Sequence, residues 1–160
     1  SLALWQSLEE PAASADGEDA RELGWASALH EIGMMVSHHD HHRHSAYILG
    51  HVDASGFSQS QLRSLASLVL GQRGGLRKIE AMLSDPACAW QLMCLRLAVL
   101  LCHARKDPAH QELRLGQKGR GFLLSTPPGW SRAYPQSSWL LELEVAVWQK
   151  SGWKFEVELL

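Results

Sequence analysis

The spacing of apolar residues changes once along this chain of 160 residues, at Asp107-Pro108, and that change constrains the fold more than any other feature. Before it, apolar residues recur every three or four positions, the period of one helix face. After it they alternate, the period of one strand face. Trp25, Leu29, Ile32 and Val36 form one helical stripe, which predicts a helix from about Glu18 to Val36. Leu62, Leu65, Ala66 and Val69 form another, and Ser58 with Gln61 predicts a capping box at its start. Leu76 to Leu83 reads as a short helix after the break at Gly71, Gly74 and Gly75. Asp85 before Pro86 opens a helix that runs to about Ala104. It is apolar on most faces, which places it at the centre. Past Pro108, the pairs Leu113/Leu115 and Phe122/Leu124 predict two strands around a turn at Gln117-Lys118-Gly119. Ser137 or Ser138 caps a helix to about Lys150, and Gly152 ends it. Trp153, Phe155, Val157 and Leu159 then share one face of a last strand. The expected fold is mainly α: a helical domain over residues 1–107, then a small α+β (strand-strand-helix-strand) unit over 108–160.

Several residue types are assigned by this frame. Arg96 sits in the central apolar helix and needs a buried acid or a route to water; Glu31 is one candidate partner. Trp25, Trp90, Trp139, Trp148 and Trp153 are expected in the core or between the units, not as a platform for nucleobases. Met34, Met35, Met82 and Met93 are expected to fill the core. Cys88, Cys94 and Cys102 have spacings that match no zinc motif and read as reduced core thiols, which suggests the cytoplasm. The longest apolar stretch, Leu92 to Cys102, contains Arg96 and is too short to span a bilayer, so no membrane partner is expected. A formal charge of -2 with histidines neutral advertises no nucleic acid. Leu2-Ala3-Leu4-Trp5 reads as the end of an amphipathic helix, as in a piece of a longer protein.

Chemistry concentrates between His30 and His51, which holds seven of the nine histidines. Histidine binds metals, shuttles protons and changes charge near neutral pH. Three readings are open: a metal-assisted phosphate-hydrolysing site, a pH-dependent cationic patch that holds an anion, and a solvated loop. Free histidine titrates near pH 6.5, so a cationic patch would gain affinity as pH falls from about 7.5 to 6.

Leu29-His30-Glu31-Ile32-Gly33 resembles the L-H-D-I-G core of HD-domain phosphohydrolases, with Glu in place of Asp. The wider pattern is L-x-W-A-x-x-L-H-E-I-G, then H-x-x-x-H-R-H-S-A-Y-I-L, then D-x-x-G-F-S. It occupies Leu23 to Gly33, His38 to Leu49 and Asp53 to Ser58. This pattern is similar to the C-terminal region of the exopolyphosphatase and guanosine pentaphosphate phosphohydrolase (Ppx/GppA) family. The resemblance implies an HD-like helical domain that helps bind polyphosphate and build a homodimer. It places catalysis, with a divalent cation such as Mg, in N-terminal actin-like domains outside this chain. The chain alone is then expected to hydrolyse nothing and to need no cofactor. The HD metal site would be degenerate. His30 and Glu31 stand for the His-Asp pair, the late Asp falls near Val99, and the upstream His would precede Ser1. No functional metal is expected, although His38, His39, His41, His42 and His44 could share an adventitious ion. By the same resemblance His38, His42, Arg43 and His44 are the polyphosphate candidates, with Arg73, Arg77 and Lys78 as a second basic group. Two alternatives stay beside this reading: an HD-type hydrolase acting on guanosine pentaphosphate, and a purely structural dimerisation domain.

Overall fold

The computed structural model describes residues 17–102 and 110–159. The readings for Leu2 to Trp5, for the linker before Gly17 and for Asp107-Pro108 lie outside these residues. Four helices come first: α1 (Gly17–Leu29), α2 (His41–His51), α3 (Gln59–Gly71) and α4 (Pro86–Cys102). Strands β1 (Arg114–Lys118) and β2 (Gly121–Thr126) follow. After them come a single turn α5 (Trp130–Ala133), the helix α6 (Pro135–Trp148) and strand β3 (Lys154–Leu159). The mainly α chain with a small α+β unit is therefore as expected, and no strand occurs among the described residues before Arg114.

Local chemistry explains most boundaries. Ser58 Oγ accepts from the Gln61 amide while the Gln61 side chain accepts from the Ser58 amide, so two of the free donors at the start of α3 are served. Asp85 Oδ1 accepts from the Ala87 amide at the start of α4. The hairpin turn sits one step later than the alternation suggests. Lys118 pairs with Gly121, so Gly119 and Arg120 form the loop. Gly119 takes φ 58°, as the first central residue of a two-residue hairpin often must. β1 pairs antiparallel with β2, and β3 joins β2 in parallel, with α5 and α6 as the crossover.

Four local expectations are corrected. The first helix stops at Leu29 and a 3-10 turn (Ile32–Met35) replaces its last stretch. Its buried residues are Leu23 and Ala26, and the helical stripe to Val36 fails because Val36 is 63% exposed; on the same turn Met35, expected to fill the core, is 87% exposed. Residues 76–83 form 3-10 turns (Leu76–Ile79, then Met82–Ser84), not one short helix. Ser137 and Ser138 are not caps but buried members of the first turns of α6, which Pro135 opens. Trp139 is 56% exposed, so it is not a core residue.

One hydrophobic cluster runs through both parts. Leu65, Leu68, Leu92 and Leu95 continue into Phe122, Trp148, Trp153 and Phe155. Phe122 stacks on Trp153 with centroids 5.0 Å apart and meets Trp148 edge-on at 5.2 Å. Trp153 Nε1 also donates to the Leu83 carbonyl at 3.0 Å, tying the sheet to the helical part. Cys94 is buried in this core as expected, but Cys102 is exposed.

Candidate functional site

The motif residues first build a junction. Ser45 Oγ on α2 accepts from the Gly33 amide at 2.8 Å and donates to the His30 carbonyl at 2.9 Å. Gln72 Nε2, at the end of α3, donates to the same carbonyl at 2.8 Å. Gly33 has to be glycine, because a Cβ there would collide with the His41 carbonyl, the Ser45 amide and the His44 Cβ. Two of the motif positions, Gly33 and Ser45, thus dock the turn after α1 onto α2.

His30 Nδ1 lies 2.8 Å from the Ser27 carbonyl, which makes Nδ1 the proton-bearing nitrogen, since a carbonyl only accepts. Its Nε2 is 3.8 Å from Glu31 Oε1, and the Glu31 side chain is exposed. Both residues line a cleft of about 330 Å³ with His41, Gln72, Arg73 and Val99. The opposite wall comes from α6, through Leu140, Leu143 and Val147. This is the place the HD motif predicts, but its donors do not suit a divalent ion. Val99 offers no ligand atom, and His30, Glu31 and His41, though all in the lining, are not grouped as the three protein ligands of a catalytic site. Among the described residues no three His, Cys, Asp or Glu side chains are grouped to hold a metal. The five histidines proposed for an adventitious ion are divided: His38 and His39 are exposed, His41 and His42 buried.

Arg96 has a different partner from the one the sequence suggested. Glu31 is not bonded to it; Glu144 of α6 is. Arg96 Nε donates to Glu144 Oε1 and Nη2 donates to Oε2 at 2.8 Å, a forked pair with both side chains buried. Nη1 donates to the Gly71 carbonyl, a free acceptor at the end of α3, and to the Gly74 carbonyl in the loop beyond it. Trp148 Nε1 completes the carboxylate by donating to Oε1 at 2.6 Å. The network holds α3, α4 and α6 together beneath the cleft. Sequence reasoning missed Glu144, and the available signal was slight: it is one of two acids, with Glu142, on a largely apolar helix.

The basic candidates are brought partly together. His42 is 6% exposed, and its pKa is pushed down to about 4, first by burial and then by the Lys78 ammonium. Lys78 as a whole is exposed, yet its ammonium turns back to donate to the Arg73 carbonyl at 2.8 Å. Its pKa falls to about 8, through burial of the charged end and then the nearby Arg96 and Arg43 charges, with Asp40 opposing. His42, Arg43, Lys78 and Arg96 thus share one electrostatic neighbourhood at the start of α2. His41 lies beside Arg73 on the cleft side, and burial, followed by Arg73, lowers its pKa. His44 is half-buried next to Gly33. His38, on the loop before α2, and Arg77, on a 3-10 turn, are exposed. The expected gain of charge between pH 7.5 and 6 therefore cannot come from His42, because its buried ring stays neutral there.

Residues 1–145 match the family described as Ppx/GppA phosphatase, domain III. The chain is similar to proteins named guanosine-5′-triphosphate,3′-diphosphate pyrophosphatase. In Pseudoalteromonas translucida the identity is 33%, over 81% of this chain and 27% of the relative. In Pseudoalteromonas atlantica it is 33%, over 98% of this chain and 32% of the relative. In Vibrio vulnificus it is 30%, over 88% and 29%. The chain therefore spans about a third of the length of the curated relatives it matches. No helix among the described residues is long and apolar enough to cross a membrane. With its family match over most of the chain and its motif blocks gathered at one junction, the chain belongs to the Ppx/GppA phosphatase family, of which it forms domain III.

Proposed function

We propose that this domain binds polyphosphate for a Ppx/GppA-type phosphatase and helps join two copies of it, without turning over substrate itself. The supporting observation is the convergence of Arg43 and Lys78, with Arg96 close by, around the start of α2, where positive charges are close enough to depress the Lys78 pKa. A chain of phosphates meets repeated anionic demand there, and guanidinium groups answer it with forked hydrogen bonds. Asp40 opposes this charge at Lys78. The second half of the proposal draws on the exposed Trp139, which a second copy would cover. The absence of turnover draws on Val99, on the single His30-Glu31 pair and on the divided histidines. Catalysis, with its divalent cation, then belongs to the actin-like domains the family resemblance implies. The relatives' name favours guanosine pentaphosphate as the substrate of that phosphatase. The site of action is the cytoplasm.

The decisive experiment titrates long-chain polyphosphate into the chain and into Arg43→Ala at two salt concentrations. Affinity should fall steeply with salt, because bound counterions are released from the polyanion. It should fall again as pH rises through about 8 and Lys78 loses its charge. Affinity indifferent to salt and to Arg43→Ala would leave a purely structural domain.

A further inference from the structure

Lys78 sits where a lysine amine is unusual. Its Nζ donates to the Arg73 carbonyl at 2.8 Å, which draws the side chain back over the loop after α3. Charges reach it from α2, α4 and the loop before α2: those of Arg43, Arg96 and Asp40, of which Asp40 opposes the other two. His42, a buried neutral ring, also lies within reach of the ammonium. Arg96 directs its hydrogen bonds to Glu144, Gly71 and Gly74, so it acts on the amine through charge. Arg43 is exposed and open to an incoming anion. A Cβ on Gly74 would lie 3.7 Å from Nζ, so the glycine leaves that flank of the amine open.

An ammonium crowded by cations sheds its proton early. Burial, then the Arg96 and Arg43 charges, bring the Lys78 pKa down to about 8. At pH 7.5 about a quarter of such an amine is free, against about one part in a thousand for an ordinary lysine. A free amine is a nucleophile, and a lysine beside other cations is one common way to obtain it. The same cations select what reaches it, since they attract an anion and repel a cation. They also select the product. An imine formed with an aldehyde or ketone takes up a proton and restores the positive charge beside Arg43 and Arg96. An amide removes that charge.

We infer that Lys78 Nζ is an acylation site whose acyl donor is an acyl phosphate drawn in by Arg43. The free amine attacks the acyl carbon; a C–N bond forms and the C–O bond to phosphate breaks. Phosphate leaves with the bonding electron pair and takes up the amine proton, so amine and acyl phosphate give amide and hydrogen phosphate. Nothing is oxidised or reduced. Charge developing on the departing oxygen is stabilised by the guanidinium nearby. This reaction rests on the reading of the cluster as an anion site, and it would regulate that site. The new amide N–H can still donate to the Arg73 carbonyl, but the cluster loses one positive charge and holds polyphosphate less tightly.

The test is incubation of the chain with acetyl phosphate at pH 7.5, with acetylation of each lysine followed by peptide mass spectrometry. Lys118, Lys150 and Lys154, exposed in the α+β unit, serve as references within the same molecule. Lys78 should react about tenfold faster than any of them, because its weaker basicity returns part of the gain in free amine. Its rate should level off above its pKa of about 8 while theirs keep rising. Arg43→Ala should slow Lys78 several-fold and leave the reference lysines unchanged. Added salt should slow Lys78 much more with acetyl phosphate than with the uncharged ester p-nitrophenyl acetate. Long-chain polyphosphate in the mixture separates this reaction from the function proposed above. Protection of Lys78 supports both, whereas selective reaction without protection leaves the acylation site standing and removes polyphosphate as its ligand. Lys78 reacting no faster than the reference lysines, undiminished after Arg43→Ala, or equally sensitive to salt with both donors would overturn the inference.

Discussion

His42 and Arg96 lie equally deep, at 6% and 4% exposure, and the fold handles them in opposite ways. Every group that Arg96 hydrogen-bonds is an acceptor: the Glu144 carboxylate and the carbonyls of Gly71 and Gly74. His42 meets Lys78 and Arg43, and its Nδ1 has no partner, so it sheds its proton. Guanidinium cannot lose its charge in a protein, whereas imidazole can. Burial of the first therefore requires a partner, and burial of the second requires only a low pKa. A run of histidines is thus not a cationic patch until its exposure is known.

Removing Glu144 tests the paired side of this contrast and should have the largest effect. Glu144→Ala leaves Arg96 charged and buried, and unfolding by denaturant should show a loss of about 3–5 kcal/mol. A change under 1 kcal/mol would mean that water reaches Arg96. The neutral side of the contrast is tested by pH. His42 has a folded pKa of about 4 against an ordinary 6.5, so its contribution to stability is fully present above pH 6.5. It is lost as pH falls toward 4, where the unfolded chain binds the proton first. The whole shift corresponds to about 3 kcal/mol. Stability of His42→Leu should therefore decline less between pH 6.5 and 4 than that of the original chain; identical slopes would place the lost proton elsewhere.

Ser45→Ala sharpens the comparison at a junction where a polar group is neutral and fully bonded. It strands the Gly33 amide, and the loss should be about 1–3 kcal/mol in the same unfolding measurement. Smallest is the exposed member of the cluster. Arg43→Ala should leave stability within about 0.5 kcal/mol, as surface changes usually do. It should still cost polyphosphate binding on the order of 1 kcal/mol, a several-fold rise in Kd by titration. An Arg43→Ala chain that unfolds much more easily would make Arg43 a structural residue.

Sequence alone determined the features that depend on neighbours along the chain. The capping box of Ser58 and Gln61, the start of α4 at Asp85-Pro86, the paired strands after residue 110 and the halt at Gly152 all follow from side chains within a few residues of the backbone they shape. The blocks around His30 and Ser45 were enough to recognise the family. What only tertiary structure decided depends on partners brought from far along the chain. Glu144 is 48 residues from Arg96, on a helix whose packing face the apolar pattern leaves open. Burial of His41 and His42 depends on how α2 meets the loop after α3, while His38 and His39, just before them in the chain, remain in solvent. The ionisation of a group follows the dielectric and the charges around it. Those are set by every element packed nearby, so the same residue type appears in one stretch as exposed loop and as neutral core.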